Sequence, residues 1–278
     1  MGKPITFAAR FMRNRAAAGG AAYLLCVVFL SFAAPVLFSN DPFAIVDQPF
    51  QPVFGRWLLG TDSLGRDTAA GLLYGGRTSI GIGLVATIVA VLLGGAVGAL
   101  SGYYGNWIDG ALMRLTEFFQ AIPPFLFAIV LIAILSPSST SIVTAIGLAS
   151  WPPVARLVRG EFLRLRNMDF VQAAISTGMR NQDVILRQIL PNALPAVIVT
   201  GALMVATAIL TEAALSFLGL GDPNIISWGF MIGSGRTFLR DAWWLCTIPG
   251  VAIVLTVLSI NLVADGLNDA LDPRHAGG

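Results

Sequence analysis

Residues 78–108 read TSIGIGLVATIVAVLLGGAVGALSGYYGNWI and contain no charged side chain. An α-helix needs about 20 apolar residues to cross a hydrocarbon core of about 30 Å. This stretch exceeds that length, and glycines such as Gly94, Gly95 and Gly98 suit close approach between helices in lipid. We therefore predict a transmembrane helix over residues 78–103.

The composition of the whole chain also indicates a lipid environment. Of 278 residues, 56% are hydrophobic and 12% charged, against about 25% charged in soluble domains. The single histidine, His275, and the two cysteines, Cys26 and Cys246, are too few and too scattered for a metal cluster or a histidine-based catalytic centre. The net charge of +2 is small and dispersed, which disfavours nucleic acid as a partner.

Other apolar runs, with at most one charged residue each, predict five more crossings, over residues 17–40, 115–135, 141–157, 192–215 and 242–264. The turn-forming run 136–141 separates the third crossing from the fourth, and Pro123-Pro124 predicts a kink in the third. A signal peptide is the alternative for the first run, but the run exceeds a typical signal core, so we expect it to be retained. The predicted fold class is an all-α membrane protein with six transmembrane helices and lipid around it.

Basic residues are distributed unequally between the predicted loops, which sets the orientation. One side carries 12 of the 17: Lys3, Arg10, Arg13, Arg15, Arg114, Arg156, Arg159, Arg164, Arg166, Arg180, Arg187 and Arg274. The other carries Arg56, Arg66, Arg77, Arg236 and Arg240. We therefore predict a cytoplasmic N-terminal segment 1–16, loop 158–191 and tail 268–278, and extracytoplasmic segments 41–77 and 216–241.

The predicted cytoplasmic loop contains two short amphipathic helices. Residues 169–178 read DFVQAAISTG, and Gly178 can adopt the positive φ that ends the first helix. Asn181 can cap the second helix, whose apolar residues include Val184 and Ile189. The residues alone leave two alternatives, a docking element or an interfacial loop whose arginines only fix the topology.

This loop resembles the "EAA" loop of binding-cassette importer permeases. The resemblance is carried by Gln172-Ala173-Ala174, Gly178 and Leu190-Pro191, with Gln172 where the motif has glutamate. It implies a coupling helix that docks on an ATPase subunit. The coupling-loop residues implied in this way are Asp169, Gln172, Ala173, Ala174, Gly178, Leu190 and Pro191.

Three further stretches are similar to the "C" type of the dipeptide/oligopeptide/nickel permeases. They are LGTDSLGRD at 59–67, EAALSFLGLG at 212–221 and NLVADGLNDALDPR at 261–274. The resemblance implies an importer transmembrane domain over residues 78–267 in a bacterial or archaeal inner membrane. It also implies a homologous "B"-type permease, two ATPase subunits and an extracytoplasmic solute-binding protein as partners. Short peptides are the implied substrate; nickel chelates, glutathione, opines and sugars remain alternatives.

The chain itself offers no catalytic site. Its only lysine, Lys3, lies outside any glycine-rich loop, so a P-loop is excluded and ATP and Mg belong on partner subunits. This chain has no predicted cofactor or metal and is predicted not to be an enzyme. A secondary transporter would need ionisable residues at mid-span, and a membrane enzyme a polar constellation within the spans; neither pattern is present.

Ionisable residues near the spans are further candidates. Asp62 and Asp67 flank Arg66 closely enough for local ion pairs, in a segment that either receives a receptor at the outer mouth or caps the helix ends. Glu212 and Asp265 lie at the edges of apolar runs, where they either line the pathway edge or cap helices.

Overall fold

The computed structural model describes residues 7–38 and 41–271, and the fold of this part is mainly helical. Residues 41–67 form turns with two isolated β-bridges and no helix. Predictions on Lys3, Arg274 and His275 lie outside these residues. The helices are α1 (Phe7–Arg13), α2 (Arg15–Leu37), α3 (Thr68–Tyr104), α4 (Asn106–Gln120), α5 (Pro124–Leu135), α6 (Ser139–Arg166), α7 (Asp169–Ser176), α8 (Asn181–Asp183), α9 (Leu190–Leu215), α10 (Trp228–Gly235) and α11 (Trp244–Leu271). A π-helix (Val184–Ile189) leads into α9, a second (Ser216–Leu220) follows it, and a 3₁₀ turn (Arg236–Phe238) follows α10.

Helix α3 is the central element, and its most extensive contact is with α6. Gly94, Gly98 and Gly102 recur at every fourth position of α3 and are all buried against α6. A Cβ on Gly102 would lie 2.7 Å from the Cβ of Phe162 and 2.8 Å from the carbonyl oxygen of Arg159. Only glycine permits this separation, so the glycines set the distance between the two helices, as in other membrane helix pairs.

Five of the described helical segments are long and apolar enough to cross a membrane, and the pair α4 and α5 gives a sixth if it counts as one span. The axes of α4 and α5 differ by 81°. The third crossing is thus not the single helix over 115–135 that the sequence predicts. The break falls at residues 121–123, where Pro123-Pro124 interrupts the backbone hydrogen bonds, at the predicted kink.

The helices extend beyond the predicted membrane crossings. Helix α3 begins at Thr68 and not near residue 78, because the side chain of Asp67 accepts a hydrogen bond from the backbone N–H of Ala69 and caps it. Its 37 residues give a length of roughly 55 Å, well above the hydrocarbon thickness. Helix α6 likewise continues to Arg166, so the first part of the predicted loop 158–191 is helical. Hydropathy marks where lipid ends, whereas caps mark where a helix ends.

The remaining helices surround α3. Helix α9 packs on α3 and α6, and α11 packs between α2 and α9. Helix α10 and the second π-helix fold back at the end of the bundle where α3 begins, and Trp228 of α10 donates from Nε1 to the carbonyl of Leu72 at 2.9 Å. The opposite end of the bundle carries α7, α8 and the first π-helix.

Candidate functional site

The segment from α7 to the first π-helix is fixed on the ends of α3 and α6 by apolar side chains. Val171 of α7 and Val184 and Ile189 of the π-helix are wholly buried. They share one cluster with Tyr103 of α3 and Phe162 of α6. Each such side chain contributes about 1.5–3 kcal/mol when it leaves water, so the segment is a firmly attached part of the bundle.

Gly178 ends α7, as the sequence predicts. Its φ is +79°, and its N–H donates to the carbonyl of Ile175 at 3.0 Å. No atom lies within 4 Å of the position that a Cβ would occupy, and the residue is exposed. A side chain at this position would strain the backbone and project outward.

The predicted helix cap at Asn181 is wrong. Asn181 is the first residue of α8, and its side chain makes no capping bond. Its Oδ1 instead accepts a hydrogen bond from the hydroxyl of Tyr103 at 2.8 Å. The ring of Tyr103 also lies 5.6 Å from the guanidinium of Arg166. The asparagine therefore ties the segment to the end of α3.

Gln172 makes a bond that the motif's glutamate cannot make. Its Nε2 donates to the carbonyl of Arg166 at 2.8 Å, which satisfies an acceptor at the end of α6. A carboxylate has no donor for this contact. The amide thus fits the local geometry of α6 and α7 in this chain.

The outward side of the segment exposes apolar residues. Phe170, Ile175 and Leu186 are 41%, 39% and 60% exposed. We name these three residues and Gly178 the coupling surface, after the role that the sequence resemblance implies for this segment. Asp169, Ala173 and Pro191 are also exposed, and Ala174 and Leu190 are half-buried. The predicted coupling residues thus lie in one continuous segment with a buried and an exposed side.

A half-buried ion pair, which the sequence did not indicate, holds α4 against this end of the bundle. Both side-chain oxygens of Asp109 accept from Arg159 of α6, at 2.5 and 2.6 Å, and Ser101 of α3 donates to the same carboxylate. The bidentate geometry is the strong form of this interaction. The residues are 50 positions apart in sequence, so no local spacing could reveal the pair.

The outer candidates Asp62, Arg66 and Asp67 form no ion pair with one another, contrary to prediction. Asp62 accepts from the backbone N–H groups of Leu64 and Arg66, both at 2.8 Å, and Asp67 caps α3. Arg66 instead stacks over the ring of Phe43 at 4.9 Å. The two carboxylates bind nearby backbone N–H groups and not the flexible guanidinium. Asp62 therefore stabilises a turn, and Asp67 stabilises the start of α3.

Glu212 and Asp265 have opposite environments. Glu212 is fully buried, and its two oxygens accept from the hydroxyls of Ser79 (2.9 Å) and Ser216 (2.7 Å). The hydroxyl of Ser79 also accepts from the backbone N–H of Trp228 at 3.2 Å, which links α3, α9 and α10. Asp265 is exposed on α11. Both oxygens of Glu212 are thus engaged by hydroxyls of neighbouring helices.

Asp222 attaches the outer segment to α6. Its Oδ2 accepts from the backbone N–H and the hydroxyl of Ser139, at 3.0 and 3.1 Å. Burial alone raises the pKa of the Asp222 carboxyl, but hydrogen bonds from Asn224 and Ser139 lower it more, and the pKa lies below its ordinary value. The carboxylate form is therefore the one that this contact favours.

Taken together, these features define a class of protein. Apolar helices of membrane-spanning length form the bundle, and a helical segment with a buried and an exposed apolar side lies at one end. The described residues contain no cluster of potential metal ligands. This is a multi-pass membrane protein.

The chain belongs to the family described as binding-protein-dependent transport system inner membrane component, which matches residues 94–276. It is therefore the permease of an ABC importer. A Brucella abortus protein provisionally named as a peptide transport system permease is 41% identical over 96% of this chain and 90% of its own length. The di/tripeptide transport system permease protein DppC of Pseudomonas aeruginosa is 38% identical over 95% and 90%. The glutathione transport system permease protein GsiD of Pectobacterium atrosepticum is 36% identical over 95% and 89%.

Solved structures agree on the fold. The MetNI methionine ABC transporter in an inward-facing form matches 70% of this chain and 93% of its own, with a TM-score of 0.58 and 17% identity. An amino acid ABC transporter solved with histidines matches 72% and 94%, with a TM-score of 0.56 and 14% identity. The predicted family and the helical membrane fold are thus confirmed.

Proposed function

We propose that this chain forms one half of the translocation pathway of an ATP-driven importer of short peptides, in complex with a homologous permease. Two ATPase subunits bind at the cytoplasmic end and carry ATP and Mg, and an extracytoplasmic solute-binding protein delivers the peptide. The termini face the cytoplasm, in agreement with the unequal distribution of basic residues. This chain itself carries out no chemistry.

The observation that supports this proposal best is the coupling surface. Phe170, Ile175 and Leu186 expose apolar area at the end of a bundle, as expected of a docking site for a partner. Behind them, Val171 and the bond from Gln172 to the carbonyl of Arg166 attach the surface to α6. Movement of a docked ATPase is therefore transmitted to α6 and α3 as a rigid-body shift.

Peptides are the proposed substrate because relatives of nearly full length bear peptide-permease names. Glutathione is the second candidate, since the GsiD protein is 36% identical. Uptake of labelled dialanine and of labelled glutathione by cells with the complete transporter distinguishes the two. Competition by one compound against uptake of the other shows whether they share a route.

The coupling assignment is tested by Gly178→Arg. Gly178 and Gly219 are both glycines at positive φ, +79° and +85°, with no atom within 4 Å of the position that a Cβ would occupy. Gly219→Arg, on the predicted outer side, is therefore a matched control with the same backbone strain of about 1–2 kcal/mol. We expect Gly178→Arg to abolish copurification of the ATPase and ATP-driven uptake, whereas Gly219→Arg retains the ATPase.

Retention of both the ATPase and uptake in Gly178→Arg would refute the coupling assignment. Equal loss of the ATPase in the two variants would show that backbone strain, and not the surface, causes the defect.

A further inference from the structure

A hollow of about 510 Å³ opens at the end of α3 where that helix begins. Its wall is formed by Asp41 after α2, by Tyr74 and Arg77 on α3, by Ser139 at the start of α6 and by Ile226. The volume lies within the range of sites that hold small molecules, about 300–1,000 Å³. None of the contacts described above for the coupling surface involves this hollow.

Two opposite charges stand on the wall of the hollow. Arg77 is exposed, and its guanidinium lies 5.5 Å from the ring centroid of Phe32 without an ion pair among the described residues. Asp41 is also exposed, and among the described residues only one of its oxygens is engaged, by the backbone N–H of Phe43 at 2.8 Å. The hollow therefore offers a cation and an anion to a ligand that carries both charges.

An apolar stripe on α3 continues from the hollow along the span. Gly81 has no atom within 4 Å of a Cβ position. Leu84, Ile88 and Leu92, at successive turns, are 49%, 48% and 67% exposed. Their spacing places them on the same helix face as Arg77. A ligand in the hollow thus meets charges at its head and an apolar surface below it.

We propose that this hollow binds a phospholipid whose headgroup carries a primary amine, such as phosphatidylethanolamine. The guanidinium of Arg77 pairs with the phosphate, and the second carboxylate oxygen of Asp41 accepts from the ammonium. The acyl chains lie on the stripe from Gly81 to Leu92. The proposal does not depend on the identity of the transported solute.

A zwitterionic peptide carries the same two charges, but the apolar stripe favours the lipid. A short peptide has no part that covers Leu84, Ile88 and Leu92, whereas acyl chains cover them without exposing polar backbone to hydrocarbon. Arg77 also stacks on Phe32 of α2, a residue that is itself 64% exposed. Basic and aromatic side chains at the end of a span are typical of the headgroup level of a bilayer.

The test uses native mass spectrometry of the assembled transporter, extracted into detergent and titrated with phosphatidylethanolamine or phosphatidylglycerol. We expect the wild type to bind the amine lipid roughly tenfold more tightly. Arg77→Gln weakens binding of both lipids by about tenfold. Asp41→Asn removes the preference for the amine and leaves phosphatidylglycerol binding unchanged. Arg56→Gln and Asp241→Asn, changes of the same kind in exposed outer residues away from the hollow, serve as controls.

Equal binding of the two lipids by the wild type, or unchanged binding in Arg77→Gln, would overturn the proposal. Displacement of the amine lipid by dialanine would also overturn it, because the hollow would then be a peptide site. So would the absence of Arg77-dependent lipid from the assembled complex, because the partner permease would then occupy the hollow. If Arg77→Gln does not assemble, Arg77→Lys replaces it. A compact ammonium cannot form the bidentate contact, so this variant must also bind both lipids more weakly.

Discussion

Gly94→Ala and Gly95→Ala provide a paired measurement of the contact between α3 and α6. A Cβ on Gly94 would lie 2.5 Å from the carbonyl oxygen of Trp151 and 2.6 Å from the Cβ of Val154. Nonbonded carbon atoms prefer about 3.5–4.0 Å, so α3 must move away from α6. A Cβ on Gly95 has no atom within 4 Å.

The magnitude follows from the difference between the two variants. Alanine favours a helix over glycine by about 1 kcal/mol at either position, and this gain cancels in the comparison. Overpacking costs about 1–3 kcal/mol, so Gly94→Ala should be less stable than Gly95→Ala by that amount. The unfolding equilibrium constants then differ by about 5- to 150-fold.

The assay is reversible unfolding of the purified permease in mixed micelles with increasing denaturing detergent, followed by helical circular dichroism. The close contact at residue 154 is with its Cβ, so Val154→Gly combined with Gly94→Ala removes that contact and should recover part of the loss, as a double-mutant cycle measures. Two glycine variants of equal stability, within about 0.5 kcal/mol, would show that close approach at Gly94 does not limit the packing of these helices.

Two further predictions concern the outer segment. Glu212→Leu leaves the buried hydroxyls of Ser79 and Ser216 without their acceptor, which costs about 1–3 kcal/mol of stability each, and it should increase proteolysis of residues 221–241. Glu212→Gln keeps an acceptor and should remain close to the wild type. Equal effects of the two variants would contradict this role of Glu212. The pKa of Asp222 lies below its ordinary value of 3.8, so its contact with Ser139 stabilises the fold above that pH and loses its contribution as the pH falls through the lowered folded value. The melting temperature should therefore fall more steeply below about pH 4 for the wild type than for Asp222→Asn, and parallel profiles would exclude this contact as the cause.

The crossings could be predicted from the sequence because hydropathy is a local property. Uncharged runs located every long apolar helix, and Pro123-Pro124 marked the break in the third crossing. The 81° change of direction at that break could not be predicted, because the length and hydropathy of a run do not determine the angle between two helices. The ends of the helices were also missed, because the cap at Asp67 satisfies backbone groups well outside the apolar run.

The candidate site was predictable where its geometry is local and not where it is long-range. Gly178 follows from its place after an amphipathic run, and its positive φ agrees. Asn181 has the residue type of a cap, yet Tyr103, 78 positions away, takes its side-chain oxygen. A residue does not adopt its locally preferred role when a distant group forms a better contact with its side chain. The sequence does not show which distant groups lie nearby in the fold.

The two acidic residues at the edges of apolar runs show the same limit in a functional setting. Glu212 and Asp265 are equivalent in the sequence, since each is a carboxylate beside a hydrophobic stretch. In the fold, Glu212 has both oxygens engaged by Ser79 and Ser216, and Asp265 is exposed. A carboxyl with both oxygens engaged can meet a solute only after α3 and α9 separate. Any contact between Glu212 and a transported solute therefore requires a conformational change at the outer end of the bundle, whereas Asp265 is accessible without one.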